Sequence, residues 1–195
     1  MTGLPGVAFF DRDARLVIQV PASAHSVAQF AEYLGRAKQL LAWREAAAAG
    51  DARAAANLLI AQLEERQLTR ADAEARRQQL SDPTPAEAQR LDALLLDLRI
   101  GEELRAVHND KPGRRALGER YLAMLKAGTK PSERVSRGLW FVITEYAESV
   151  NDPAAFELGL DGLRADVERT GKGTEWGERM LRDYEARLAK VRAVR

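Results

Sequence analysis

Helix-capping side chains and helix breakers punctuate this chain every few turns, and the punctuation fixes most of what it can fold into. Ser81-Asp82-Pro83-Thr84-Pro85 is the sharpest case. Thr84 is a natural N-cap, Pro85 suits the first helical position, where its missing N–H costs nothing, and Glu87 completes a capping box. Ser26 with Gln29 and Thr69 with Asp72 repeat the box, and Asp51, Thr129-Lys130-Pro131, Asn151-Asp152-Pro153 and Thr174 open further segments. Gly50 and Gly128 are natural ends, because glycine accepts the left-handed conformation that closes a helix.

Between these marks, apolar residues recur at steps of three and four, the signature of one buried face per helix. Phe30, Tyr33, Leu34, Ala37, Leu40 and Leu41 form the first stripe. Leu58, Leu59 and Leu63 form the next, extending toward Leu68, and Thr69 leads a helix to Leu80. Leu91, Leu94, Leu95 and Leu98 follow on a helix reaching Val107, ended by His108 to Gly113. If Leu94 or Leu95 is fully buried, truncation to Ala should cost about 2–5 kcal/mol. Leu117, Tyr121, Leu122 and Leu125 come next, then Leu139, Val142, Ile143, Tyr146 and Val150. Phe156, Leu160, Leu163 and Val167 precede a last stripe of Trp176, Met180, Leu181, Tyr184, Leu188 and Val191. Connections this short force sequential helices to lie side by side. The expectation is an array of roughly six to eight antiparallel helices. Residue types do not repeat strictly, and the Trp, Gly, Tyr and Pro pattern of a tetratricopeptide repeat is absent, so the array is helical-repeat-like and no more.

The start is different. Val7 to Phe10 is a short apolar run without helical spacing, Asp11-Arg12-Asp13-Ala14 is turn-like, and Leu16 to Val20 resumes with β-branched residues until Pro21. This reads as a β-hairpin, which is marginal alone and must pack on something. The fold class is therefore mostly α with a small α+β start. Residues 1–49 form a hairpin-and-helix unit and residues 50–195 a helical domain. Phe9 or Phe10 should face the Phe30–Leu34 stripe.

Composition narrows the function classes. The chain has no cysteine, so it offers no thiolate nucleophile, disulfide framework or CxxC pair. Thirty Lys and Arg against twenty-nine Asp and Glu leave a net charge of +1, without the basic excess of a general nucleic-acid or membrane-surface binder. Met1 to Phe10 lacks a basic start and is cut off by Asp11-Arg12-Asp13, a poor signal peptide, so a cytoplasmic location is expected.

The order of features over the first fifty residues resembles the C-terminal half of a thioredoxin-fold domain. Gly3-Leu4-Pro5 is similar to the family's Gly-x-Pro before its third central strand, and Val7 to Phe10 to that strand. Asp11 to Arg15 resembles the Asp-x-Asp-Gly turn, with Ala14 where Gly is usual. Leu16 to Val20 resembles the last strand and Ser26-x-x-Gln29-Phe30 the capped start of the last helix. The helical remainder resembles the extensions of some bacterial thioredoxin-like proteins. The resemblance covers about a quarter of the chain. It implies a cis-Pro5 loop in which Leu4 and Pro5 would hold extended peptide. The half bearing CxxC is missing, and 195 residues do not suffice for the array plus a complete thioredoxin domain. Two origins fit: a fragment or internal start of a longer gene, in which case the location is periplasmic or secreted, or a degenerate member put to a new use.

Candidate chemistry is sparse. His25 precedes a cap, and His108 sits near a helix C-terminus, where an imidazolium interacts well with the dipole. Neither has a second ligand at metal spacing, so neither a metal nor a cofactor is expected. Glu64-Glu65, Glu102-Glu103 and Asp161 read as solvated helix charges, and Asp11 and Asp13 as turn residues. Gly171-Lys172-Gly173-Thr174 lacks the spacing of a phosphate loop and reads as a loop with Thr174 capping. Arg76-Arg77 and Arg114-Arg115 are scattered, not a nucleic-acid stripe. Trp43, Trp140, Tyr146, Phe156, Trp176 and Tyr184 fit packing between helices; the sharper expectation is that Trp140 or Trp176 lines a groove for a partner. The sequence thus points to a non-catalytic protein-binding or scaffold module, with Leu4, Pro5, Trp140 and Trp176 as peptide-contact candidates. The alternative is the C-terminal part of a thiol–disulfide oxidoreductase whose CxxC lies upstream.

Overall fold

A computed structural model describes residues 7–21, 24, 26–170 and 172–194. Among them the order is β1 (Val7–Phe10), β2 (Leu16–Val20), α1 (Val27–Ala48), α2 (Ala52–Glu64), α3 (Arg70–Gln79), α4 (Pro85–Ala106), α5 (Lys111–Lys126), α6 (Glu133–Ser149), α7 (Pro153–Thr170) and α8 (Glu175–Ala193). The chain is mostly helical with a two-stranded antiparallel start, as its punctuation requires. It divides into two compact units, the first up to Leu95 and the second from Leu96, so the division falls within α4. The sequence boundary at residue 49 lies inside the first unit, between α1 and α2. Among the described residues no helix is long and apolar enough to cross a membrane.

In the first unit, Val7 pairs with Val20, Ala8 with Gln19 and Phe9 with Ile18, and the register shifts so that Phe10 meets Leu16. Asp11 makes the turn: its Oδ1 accepts from the amides of Asp13 and Arg15, each at 2.9 Å. Those amides, that of Arg15 foremost, hold its carboxyl below the usual carboxylate range. Its Oδ2 takes Arg44 Nη1 at 2.6 Å, which ties the turn to α1. Ala14 sits in the left-handed region at φ 59°, where an L side chain is disfavoured and glycine is not.

α1 begins in the expected capping box, with Gln29 N–H donating to Ser26 Oγ and Ser26 N–H to Gln29 Oε1. The ring of Phe9 lies 5.3 Å from that of Phe30, so the hairpin packs on α1 as expected. Val17, Ile18, Ala37, Leu40 and Ala61 form the core there. α2 stops at Glu64, short of Leu68, because Arg66 turns left-handed (φ 55°) and Gln67 N–H closes onto Gln62 carbonyl at 2.9 Å. That stop delivers Gln67, whose Nε2 donates to the carbonyl of Val17 at 2.7 Å and satisfies one acceptor of β2. At the start of α4, Thr84 N–H and hydroxyl both donate to Glu87 Oε2, at 2.8 and 2.7 Å. With Arg53 added at 3.0 Å, they lower the Glu87 carboxyl to about 2. Leu91 and Leu94 are buried, whereas Leu95 is only half-buried and leaves the full-burial expectation to Leu94.

In the second unit α6 is the central helix. Leu139, Val142, Ile143, Thr144 and Ala147 are all buried along it, between α5 and α7. The α5 contact is made at Gly118, where a Cβ would lie 2.0 Å from the carbonyl oxygen of Val142. Only glycine lets the two backbones approach so closely. α5 starts at Lys111, earlier than its stripe, since Pro112 is tolerated in the first turn. α6 starts at Glu133 on a Ser132 cap and not at Thr129-Lys130-Pro131. Buried Asp97 holds that cap, accepting from the Ser132 N–H at 2.9 Å and from its hydroxyl. α7 begins where Asp152 Oδ1 accepts from the amides of Ala154 and Ala155, and α8 where Thr174 Oγ1 accepts from Gly177 N–H at 3.1 Å. Bidentate pairs Arg114–Glu145 and Arg187–Glu148 clamp α5 and α8 to α6.

Candidate functional site: a groove beside Trp140

α7 carries Gly159 and Gly162 inside a helix, a costly choice unless something must come close. At Gly162 a Cβ would lie 2.2 Å from the indole of Trp140. The absent side chain is therefore the space into which Trp140 lies down on α7. With its indole laid flat, the surface between the end of α5, the loop to α6 and the middle of α7 is left concave. The resulting groove has a volume of about 580 Å³, within the ordinary range of ligand clefts.

Its apolar lining comes from Leu125 of α5, Pro131 of the loop, Trp140 of α6 and Leu158 of α7. Leu158 lies off the buried stripe of α7 and is 42% exposed. One wall is ionic. Asp166 is buried and accepts from Arg137 Nε and, at 2.6 Å, from Arg169 Nη2. Arg169 Nε also reaches Glu133 Oε2 at 3.2 Å. Burying a carboxylate costs heavily unless it is paired and hydrogen-bonded, and two guanidinium groups meet that cost. Lys126 and Lys130 line the groove too, and both are exposed.

Of the residues singled out in the sequence, Trp140 lies in the groove and Trp176 does not line it. Trp176 is half-exposed under the Arg137 guanidinium, 5.2 Å above its ring, so Arg137 links it to the wall at Asp166. Leu4, Pro5, His25 and Gly171 lie outside the described residues. His108 is exposed just after α4, and its carbonyl accepts from Arg114. Glu64 pairs with Arg36 and Arg90, Glu65 with Arg36, and Asp161 with Arg164. Glu103 accepts from Arg120 and from the hydroxyl of Tyr121, whose pKa burial and that contact raise. These carboxylates are engaged in surface pairing and are not gathered at a common centre. Among the described residues no group of three His, Asp or Glu side chains is placed to hold a metal ion.

Sequence reasoning missed Leu158, Asp166 and Arg169. The available signals were an apolar residue off its helix stripe and two glycines within one helix. The first unit presents a second apolar surface. Phe10 and Leu16, cross-strand partners, are exposed, as are Val27, Phe30 and Leu34 of α1. Comparison with protein-family models, with curated proteins and with solved structures finds no match to this chain.

Proposed function

We propose that this chain is a non-catalytic protein-binding module, derived from a thioredoxin-like protein, whose helical half receives a peptide segment in the groove beside Trp140. The groove itself carries the reading: about 580 Å³ of concave, largely apolar surface, bordered by the Asp166–Arg169–Glu133 wall and by Lys126 and Lys130. The hairpin with its Asp11 turn and the Ser26-capped helix packed on it support the thioredoxin-like origin. On this reading no cofactor takes part, and the protein acts in the cytoplasm.

Selection of random peptides displayed on phage against the purified chain tests this. Selected peptides should change Trp140 fluorescence in a W43F/W176F background and lose affinity for Leu158→Gln, an exposed change. A selection that yields nothing above background, or only peptides indifferent to Leu158→Gln, would refute the groove as the binding site.

A second reading draws on the exposed apolar face of Phe10, Leu16, Phe30 and Leu34, since a face of this kind is commonly covered. It is the C-terminal part of a thiol–disulfide oxidoreductase, acting in the periplasm or outside the cell. An in-frame CxxC in the DNA ahead of Met1 decides for it, and a stop codon close upstream decides against it.

A further inference from the structure

We infer that the groove's occupant is an acidic peptide segment that seats an apolar side chain on Trp140 and Leu158; the inference rests on the protein-binding reading above. The charges on the groove are unequal in what remains of them for a ligand. Both lining carboxylates are already engaged, Asp166 by Arg137 and Arg169, and Glu133 by Arg169. Lys126 and Lys130 are not: among the described residues neither has an anionic partner. Lining cations outnumber lining carboxylates three to two, and Arg137 adds a fourth behind Asp166. A basic segment would meet two unneutralised ammonium groups and would have to compete with Arg169 for Glu133, a surface-exposed carboxylate, while Asp166 is buried between two guanidinium groups. A neutral one would crowd those groups without replacing the water they lose. An acidic segment supplies the missing counter-charge, while its apolar residue covers the floor. The two lysines come from the end of α5 and the following loop, and Leu158 from α7, so the occupant lies across the groove between them.

Three fluorescein-labelled short peptides of repeating Leu-Xaa-Xaa, with Xaa Glu, Gln or Lys, test this by anisotropy on the full chain. The Glu peptide should bind about tenfold more tightly than the Gln peptide at low salt, and the gap should shrink in about 0.5 M NaCl. K126E/K130E, both at exposed positions, should reverse the preference toward the Lys peptide. A preference for Glu that survives K126E/K130E overturns the inference. So does equal binding of the Glu and Gln peptides. In that last case weakening by Leu158→Gln leaves the groove reading standing, and indifference to it removes both. Self-association of the chain that Leu158→Gln abolishes would name a second copy as the occupant and overturn the inference as well.

Discussion

The hairpin with α1 and the α5–α6–α7 layer solve the same problem, burying one apolar face, with different completeness. In the helical layer the backbones of α5 and α6 meet at Gly118, the glycines of α7 make room for Thr144 and Trp140, and Tyr121, Leu139, Ile143, Phe156 and Leu160 are fully enclosed. In the hairpin region the enclosed cluster counts five of the described residues, and Phe10, Leu16, Phe30 and Leu34 stay exposed. Part of the hairpin's order comes from polar ties instead: Arg44 to Asp11, and Gln67 to Val17. Dense apolar packing makes a rigid platform on which a groove can keep its shape. A small core held by polar ties leaves apolar surface available for something else to cover.

Substitutions can break or sharpen that contrast. The largest effect should come from Phe156→Ala in the helical layer, a loss of about 3–5 kcal/mol in chemical denaturation, since the ring is fully enclosed. A loss under about 1 kcal/mol would show that the layer is as loose as the hairpin. Within α4, Leu94→Ala should cost about 2–5 kcal/mol and half-buried Leu95→Ala clearly less; equal midpoints would mean that the helix presents another face. Gln67→Ala should cost about 1–2 kcal/mol by orphaning the Val17 carbonyl, with faster amide exchange confined to the hairpin. Exchange that speeds equally through α6 would deny that the tie is local.

Acid should act on the first unit at a nameable place. The folded pKa of Glu87 is depressed from its ordinary 4.5 to about 2, chiefly by the Thr84 hydroxyl and amide. A depressed carboxylate contributes stability above its unfolded pKa and loses it as pH falls through the folded one. Amide protection at the start of α4 should therefore decline between pH 4.5 and 2, and Glu87→Gln should flatten that part of the profile. The smallest effect is a gain: Ala14→Gly should raise stability by about 0.5–1 kcal/mol by relieving a left-handed alanine. A loss instead would mean that the methyl group packs usefully.

Helix positions were legible because each capping residue has a local mechanism, readable within four residues. Ser26, Asp51, Thr69, Thr84, Asp152 and Thr174 all cap as their chemistry dictates. The misplaced boundaries have non-local or unsignalled causes. Arg66 adopts a conformation that its side chain does not advertise, and Ser132 gains its role from Asp97, thirty-five residues away. The groove was half legible. Trp140 could be named from its type and place, but Lys126, Leu158 and Asp166 become neighbours only once α5, α6 and α7 are packed. Trp176 shares its helix stripe with Met180 and Leu188, yet stands in solvent under Arg137. A stripe says which face is apolar and not how far along it the neighbour extends.

The most direct test of the central claim is a ¹H–¹⁵N spectrum of the three tryptophan indoles during titration with the Leu-Glu-Glu repeat peptide. The account predicts a progressive shift of the Trp140 indole, a smaller one at Trp176 through Arg137, and none at Trp43. An unmoved Trp140, or a shift led by Trp43 on the hairpin side, would contradict it.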